Sequence, residues 1–466
     1  MRKGILTSYV LVFGTIFLIL LGGLLGFILT ELKISKQKLA WHEALGIAEA
    51  GIEYYKWCAN NNVLSNCQLE KTYQDINGKE IGKFSLQIDT ASNCGLIISQ
   101  KVKSTGWTFQ YPELKRKISI FFGRESVAKY SYILNSNVWV GSDHVVRGPF
   151  HSNGGIRFDG QNLSLVSSAQ EEWVCTNTFG CFGLCPSECQ IENNQCVCPG
   201  VFSTTQVSNR SLFDFPVVSF DFEGVTADLA QIKQASQNSG GIYLPPSDQI
   251  DSQGKGWHLI FNEGGTFEAR IITQLSPTLA YSLEEGWHVD FFTISGEYSY
   301  QTFTIPTSCS VIYIEDDLWP EGKIRGKVTL ASANLIDPNQ DTQVILNGNL
   351  DYSTTTGRDG LTLIGEKNIL IGPDSPENMI LRGILIAQKG RFARNHYPGN
   401  KKESLIIYGS IVSNGRVGTK WINQAGHVVS GYLNRETYPD RNLIYQPPVF
   451  TPFLTSQFKI INWEEL

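Results

Sequence analysis

The feature that most constrains this chain is an uncharged, largely apolar run over residues 5–30. A bilayer core is crossed by about 20 predominantly apolar residues in helical form, and residues 5–29 form an uncharged, largely apolar run of 25. Gly22, Gly23 and Gly26 would weaken such a helix in water, whereas in lipid small residues let neighbouring helices approach closely. The reading is a single transmembrane span. A secretory signal peptide competes with it, but that would have a shorter apolar core and an A-x-A-like cleavage site, and no such site follows Leu29. Arg2, Lys3 and the terminal amine favour an inside amino end, and Lys33, Lys36 and Lys38 on the other flank blunt that bias. The cysteines decide the orientation. Ten in one chain, six of them between Cys175 and Cys198, belong in an oxidising compartment. Residues beyond about 31 are therefore expected outside the cytoplasm.

Beyond the span, Trp41, Leu45, Ala48, Ile52 and Tyr55 recur at helical spacing, with Glu43, Glu49, Glu53 and Lys56 off the stripe. The spacing predicts that the membrane helix continues, half buried, into a folded domain. As one helix, residues 5–56 would be about 80 Å long. The basic leader ending in Gly4, the apolar stretch and the run Ile47-Ala48-Glu49-Ala50-Gly51-Ile52-Glu53-Tyr54-Tyr55 resemble the class III signal and first helix of type IV pilins, and of PilX-type minor pilins in particular. The resemblance implies cleavage by a prepilin peptidase between Gly4 and Ile5 and methylation of the new amine. It also implies residence in membrane lipid before assembly, and association with other pilin subunits through the helix. One position departs from the pattern. Major pilins carry a glutamate at the fifth mature residue, and Tyr9 stands there, as in minor and tip pilins that lack it. That departure fits a low-copy or tip position and also fits a membrane anchor that never enters a filament.

The remainder reads as β-rich, with 44 glycines and 18% charged residues and no low-complexity linker. Strand patterns at 83–88, 96–102 and 117–121 predict a small antiparallel sheet packed on the helix, with Gly106 and Pro112 in the turn between the second and third strands. Cys58, Cys67 and Cys94 lie in this part. From 126 onward short β runs alternate with glycine or asparagine turns, and the only helical pattern is at 225–237. Strand–turn units beginning at Gly365, Ala387 and Val412 recur every 20–25 residues or so, as in a β-solenoid. Leu381, Ile384, Leu385 and Ile386 are then expected to point inward. An irregular β-sandwich is the alternative. Large solenoid heads also occur on minor pilins. The expected fold is mainly β: a long amino-terminal helix, a pilin-like α/β stem and a right-handed, β-helix-like head. The parts are leader 1–4, helix 5–57, sheet 58–125, head 126–450 with a cysteine-rich insertion at 173–200, and tail 451–466.

Cys175, Cys181, Cys185, Cys189, Cys196 and Cys198 fall among Gly180, Gly183, Pro186 and Pro199. This is the composition of a loop stapled by disulfides because it lacks its own core, with 15 pairings open. Zinc would call for a C-x-x-C pair or a nearby histidine, and the spacings offer neither. A long-range bridge from one of the three stem cysteines to Cys309 would leave an even set.

No nucleophile elbow, phosphate loop, dinucleotide fingerprint or zincin motif occurs, and no enzyme, metal or cofactor is expected. His144 and His151 are the closest histidine pair; they read as surface or turn residues, although His151 could lie near Asp143 and Asp159. Glu315-Asp316-Asp317 and the 337–341 turn could hold a cation, and the first could serve a polysaccharide lyase or hydrolase; both read more simply as solvated turns. Residues 382–441 hold ten Lys/Arg against three Asp/Glu in a chain of net charge −6, with Tyr397, Tyr408, Trp421 and Tyr432 interleaved. Lys389, Arg391, Arg394, Lys401, Lys402, Arg416 and Lys420 thus form a candidate stripe for DNA or an acidic glycan. In stacked coils Arg391 and Arg416 could share a face. The functional expectation is a minor-pilin-like subunit whose head serves adhesion, filament initiation or polyanion binding. The alternative is a membrane-anchored surface protein outside any pilus. Full-length protein should sediment with membranes and resist alkaline extraction, and deletion of residues 5–29 should release it. Full-length protein recovered in the soluble fraction would contradict the span.

Overall fold

The computed structural model describes residues 3–61, 63, 66–181, 185–224, 226–337, 339–423 and 425–466, with side chains from Ser8 onward. Met1 and Arg2 of the leader, Gly183 of the cysteine loop, Val225 of the expected head helix and Pro338 of the 337–341 turn lie outside the described residues. The molecule is mainly β with one long amino-terminal helix. It divides into two units. One comprises Met1–Thr90, Gln100–Gly123 and Gln457–Leu466, the other Ala91–Ser99 and Arg124–Ser456.

In the first unit, α1 spans Lys3–Asn60 without interruption. Its apolar first half is long enough to cross a membrane and is exposed throughout, from Tyr9 to Leu29. Its second half is buried along Ala44, Ile47, Ala48, Ile52 and Tyr55. Trp41, expected on the buried stripe, is instead 42% exposed, with the Arg116 guanidinium over its ring. The reason is close packing. The strands are β1 (Glu70–Gln74), β2 (Glu80–Asn93), β3 (Leu96–Thr108) and β4 (Arg116–Gly123). A Cβ on Gly106 of β3 would lie 2.4 Å from both the Ala44 carbonyl oxygen and the Ala48 nitrogen. A Cβ on Gly51 of α1 would lie 2.4 Å from Ser104 Oγ. Small residues on both partners let the helix backbone rest directly on the sheet, so the buried stripe runs through alanines and a bulky Trp41 is displaced to its edge.

Gly106 therefore belongs to a strand, paired with Arg116, and only Pro112 occupies the turn. The sheet has the order β1-β2-β3-β4 followed by the carboxy-terminal strand Lys459–Glu465, which pairs antiparallel with β4. The expected free tail is thus in part the fifth strand. Polar β1 and the half-exposed terminal strand lack the alternation that marked 83–88 and 117–121 and the apolar run that marked 96–102. Tyr55 is buried under Phe122 and donates to Gln100 Oε1, and burial pushes its phenol up to about 12.

In the second unit, parallel strands stack along three faces. The first face runs through Ile242–Leu244, Val311–Ile314, Lys327–Ser332, Gly360–Gly365 and the ends of Asn378–Ala387 and Lys401–Ser413. It continues into Tyr132–Leu134, Phe150–Ser152, Val166–Ser168 and Phe213–Asp214. Spatial order is not chain order: Ile411 pairs with Tyr132, and Arg435 with His144. The early head strands thus extend a stack begun by the late ones. The chain returns to the far end along residues 217–241, past Ser168, Asn153 and Gln388. It ends there in α2 (Leu229–Asn238), capped by Asp228.

Register aligns Gly365, Ala387 and Ser413, one residue later in the last unit than the motif spacing placed it. The following side chains include Asn414, Asn135 and Asn153, which bond to one another. Alternation splits the apolar runs. Leu381 and Leu385 enter the inner core with Leu363, Ile411 and Leu134. Ile384 and Ile386, expected inward, face out into a second apolar layer with Val412 and Ile133, covered by Phe220, Leu229, Ile444 and Leu454. Two excursions leave the stack. One is a long antiparallel hairpin, Thr266–Ser282 with Gly286–Thr304. The other is the cysteine-rich loop, whose strands Glu172–Cys175, Gln190–Glu192 and Gln195–Pro199 form a separate sheet.

Gly106→Val should lower the melting temperature by the equivalent of about 1–3 kcal/mol or more, from overpacking against Ala44 and Ala48. Gly46→Ala, exposed on the same helix with nothing within 4 Å, should be neutral or stabilising by about 0.5–1 kcal/mol. Calorimetry on the two variants reads the difference.

Candidate functional site

All ten cysteines are paired: Cys58–Cys67, Cys94–Cys309, Cys175–Cys181, Cys185–Cys196 and Cys189–Cys198. Six of their sulfurs form two groups of three within 4.8 Å, a spacing that could hold a metal. Each of those sulfurs is already in a disulfide, so no thiolate is left to bind zinc.

The basic stripe is not a free cationic face. Lys389 meets Asp341 at 2.6 Å and Glu366 at 2.7 Å, Arg391 meets Glu284 at 3.3 Å, Lys402 meets Glu377 at 3.1 Å and Lys420 meets Asp143 at 3.0 Å. Arg394 is fully buried. It donates to Asn400 and Ser430 between the rings of Tyr397 and Tyr432. Lys401 is exposed. Arg391 and Arg416 do share a face, and both line one small depression with Glu284. The neutralising carboxylates all come from earlier in the chain and reach the stripe from neighbouring coils or excursions, which a charge count in one window misses.

The other candidates are also structural. His144 and His151 are buried rather than on the surface. His144 lies against Tyr132 and Thr437, and burial pushes its imidazole down to about 3. His151 is held by Ser167 and Asn153, away from Asp143 and Asp159. Glu315 is taken by Lys233, Tyr243 and the Leu335 N–H. Asp316 accepts from Ser247, and Asp317, pushed up to about 7 by burial, accepts from the Gln343 N–H. Asp337 accepts from the Asn339 N–H, closing its own turn.

A cleft of about 440 Å³ opens where excursions from separate coils converge. Its floor carries Trp139 and Arg157 from Val138–Val140 and Ile156–Phe158. One wall is the 177–178 turn of the cysteine loop, pinned by Cys175–Cys181. Another is Leu283 at the hairpin tip, and the third is formed by Arg416, Lys420, Trp421 and Val428. Its carboxylates are saturated. Asp159 accepts from Trp139 Nε1 at 2.9 Å, Arg157 Nε at 2.7 Å, and Thr204 N and Oγ1 at 2.7 and 2.9 Å. Asp143 takes both Arg435 nitrogens, at 2.8 and 2.9 Å, besides Lys420. Burial alone would raise the Asp143 carboxyl, but the Arg435 and Lys420 charges outweigh it and hold it below the usual carboxylate range. Of the residues here, only Arg416 and Lys420 came from the basic stripe. Trp139, Asp143, Arg157 and Asp159 carry no shared local motif and meet through the parallel pairing of Val138–Val140 with Ile156–Phe158 and the turns beside it.

A second, shallower cavity of about 330 Å³ contains His258 and Glu321. His258 Nδ1 lies 2.7 Å from Glu297 and Nε2 3.5 Å from Glu321, with Arg270 2.8 Å from Glu297. Burial alone would lower its pKa, but the bonds to Glu321 and Glu297 outweigh that and raise it.

No protein-family model matches the chain, and no curated protein matches it. Among solved structures, the competence-associated pilin ComZ from Thermus thermophilus aligns with 11% identity over 92% of this chain and 98% of its own, at a TM-score of 0.30, too loose a likeness to establish a shared fold.

A histidine raised in the native state stabilises fully below its unfolded value, about 6.5, and that contribution is lost as pH rises through the higher native value. His258→Gln should therefore depress the melting temperature more at pH 6 than at pH 9. An equal depression at both would remove the charged pairing.

Proposed function

We propose that this chain is a minor-pilin-like surface subunit. A membrane-anchored helix displays a β-rich head outside the cytoplasm, and the head binds rather than catalyses. The observation that carries the reading is the division of labour along α1. From Tyr9 to Leu29 the helix offers no charge and, apart from Thr15, whose hydroxyl bonds back to the Val12 carbonyl, no hydroxyl but that of Tyr9, and its large apolar side chains are exposed, which demands lipid or other apolar helices around it. From Ala44 onward the same helix is buried under a small antiparallel sheet. A continuous helix that is membrane-facing first and sheet-packed second suits a subunit that waits in the bilayer and then packs against the helices of other pilin subunits. Prepilin peptidase would cut between Gly4 and Ile5. Tyr9 in place of a glutamate favours a low-copy or tip position. Ten cysteines paired as disulfides support an extracytoplasmic head. The stacked strands of the head are read as solenoid-like, with the cleft as its recognition site in adhesion. The ion pairing of the basic stripe disfavours DNA along that face.

A membrane-anchored surface protein outside any filament is the second reading, favoured by Tyr9. Mass spectrometry of protein from cells with an active prepilin peptidase should find Ile5 as the methylated amino terminus, and crosslinking should join α1 to other pilin subunits. A mature chain that retains residues 1–4 would overturn the filament reading.

A further inference from the structure

The cleft on the head has an unusual electrostatic state. Its two carboxylates are consumed by internal donors, and so are most of its cations. Arg157 spends its guanidinium on Asp159, the Phe179 carbonyl and Thr204. Arg435 spends two of its nitrogens on Asp143. Arg416 differs. Its Nη2 donates to the Thr178 carbonyl at 3.0 Å, and its guanidinium lies 4.6 Å from the Phe179 ring centroid. Its Nη1 is buried and, among the described residues, has no hydrogen-bond partner. No carboxylate forms an ion pair with it among the described residues, since the nearby Glu284 is bonded to Arg391. Burial pushes its guanidinium down to about 10, a sign of charge held away from water without a full partner. A buried donor left unmade is costly, and an incoming anion would recover that cost.

The surroundings define which anion. The volume is that of a small-molecule site rather than a polymer groove. Two half-buried indoles, Trp139 and Trp421, border it, and aromatic faces suit the apolar face of a sugar ring. Exposed Ser142, Asn177 and Thr178 at the rim can bond hydroxyls. A nucleic acid would need a run of unpaired cations along its backbone, and the neighbouring lysines and arginines are already paired. The Arg157 guanidinium lies 4.2 Å from the Trp139 ring centroid, so Trp421 is the indole left to meet a ring. We propose that this cleft binds a carboxylated sugar unit of a glycan, with its carboxylate on Arg416 and its ring against Trp421. The inference does not depend on assembly into a filament.

The test uses the full chain in detergent micelles, with saturation-transfer NMR and calorimetry. The probes are D-glucuronate and a glucuronate-containing oligosaccharide, with glucose as the uncharged twin and oligothymidylate as a polyanion. Glucuronate should bind at least about tenfold more tightly than glucose, since a charge-assisted bond to the half-buried guanidinium distinguishes them. R416Q should lose about tenfold or more, R416K should fall between, and K401Q, outside the cleft, should match the parent. Circular dichroism and intact disulfides establish that each variant is folded. If R416Q does not fold, the comparison of glucuronate with glucose on the parent protein still decides. Equal binding of the two sugars, no binding of either, a folded R416Q that binds like the parent, or oligothymidylate that binds and is not displaced by glucuronate would each overturn the proposal.

Discussion

The pairing of Ile411 with Tyr132 is the constraint on which the head depends. Every strand of its first face needs a neighbour above and below to satisfy its backbone and to cover its inward side chains. Phe150–Ser152 finds its neighbours among the early strands, at 132–134 and 166–168, whereas Tyr132–Leu134 gains its second neighbour only from the late strand at 411–413. The seam is sealed by Tyr132, which packs on Phe150 and bonds Thr437, and by His144, kept neutral beside them. A histidine held so far below its usual value costs nothing at neutral pH and completes a buried polar contact that a charged ring would break.

The stem rests on a different principle. Glycine and alanine set the distance between α1 and the sheet where Gly106 meets the backbone of Ala44 and Ala48, and Ile47, Ile52, Tyr55 and Phe122 fill the core beside that contact. Ala44, Ala48, Gly51 and Gly106 contribute little apolar area each, but their lack of bulk admits the dispersion contacts of two close surfaces.

Much of this was legible in the primary structure. The uncharged run, the helical stripe after it, three of the stem strands and the asparagine turns of the head each follow from local periodicity. What was hidden has a common cause: it depends on partners far apart in the chain. Trp41 has the right spacing for the buried stripe, and only the strand carrying Gly106 shows why smaller neighbours displace it. Ile384 and Ile386 look like core because they are core, but of an outer layer supplied by 217–241 and 441–454. The stripe at 382–441 looks strongly basic until Asp143, Glu284, Asp341, Glu366 and Glu377 arrive from other coils. The cleft residues Trp139, Asp143, Arg157 and Asp159 lack any mutual spacing that could have flagged them, because the pairing of Val138–Val140 with Ile156–Phe158 and the turns beside it make them neighbours.

The inverted order of the coils also bears on how such a head comes into being. A stack whose strands follow the chain could grow coil by coil as it emerges from a translocation pore. Here Tyr132–Leu134 can pair early with Phe150–Ser152, but its other edge has no partner until Ile411–Ser413 has followed. One edge of the early segment therefore stays open while more than half of the head has yet to follow. Completion of the head is thus tied to a late closing event, in which the open edge at 132–134 is covered by a strand nearly the whole head away in the chain.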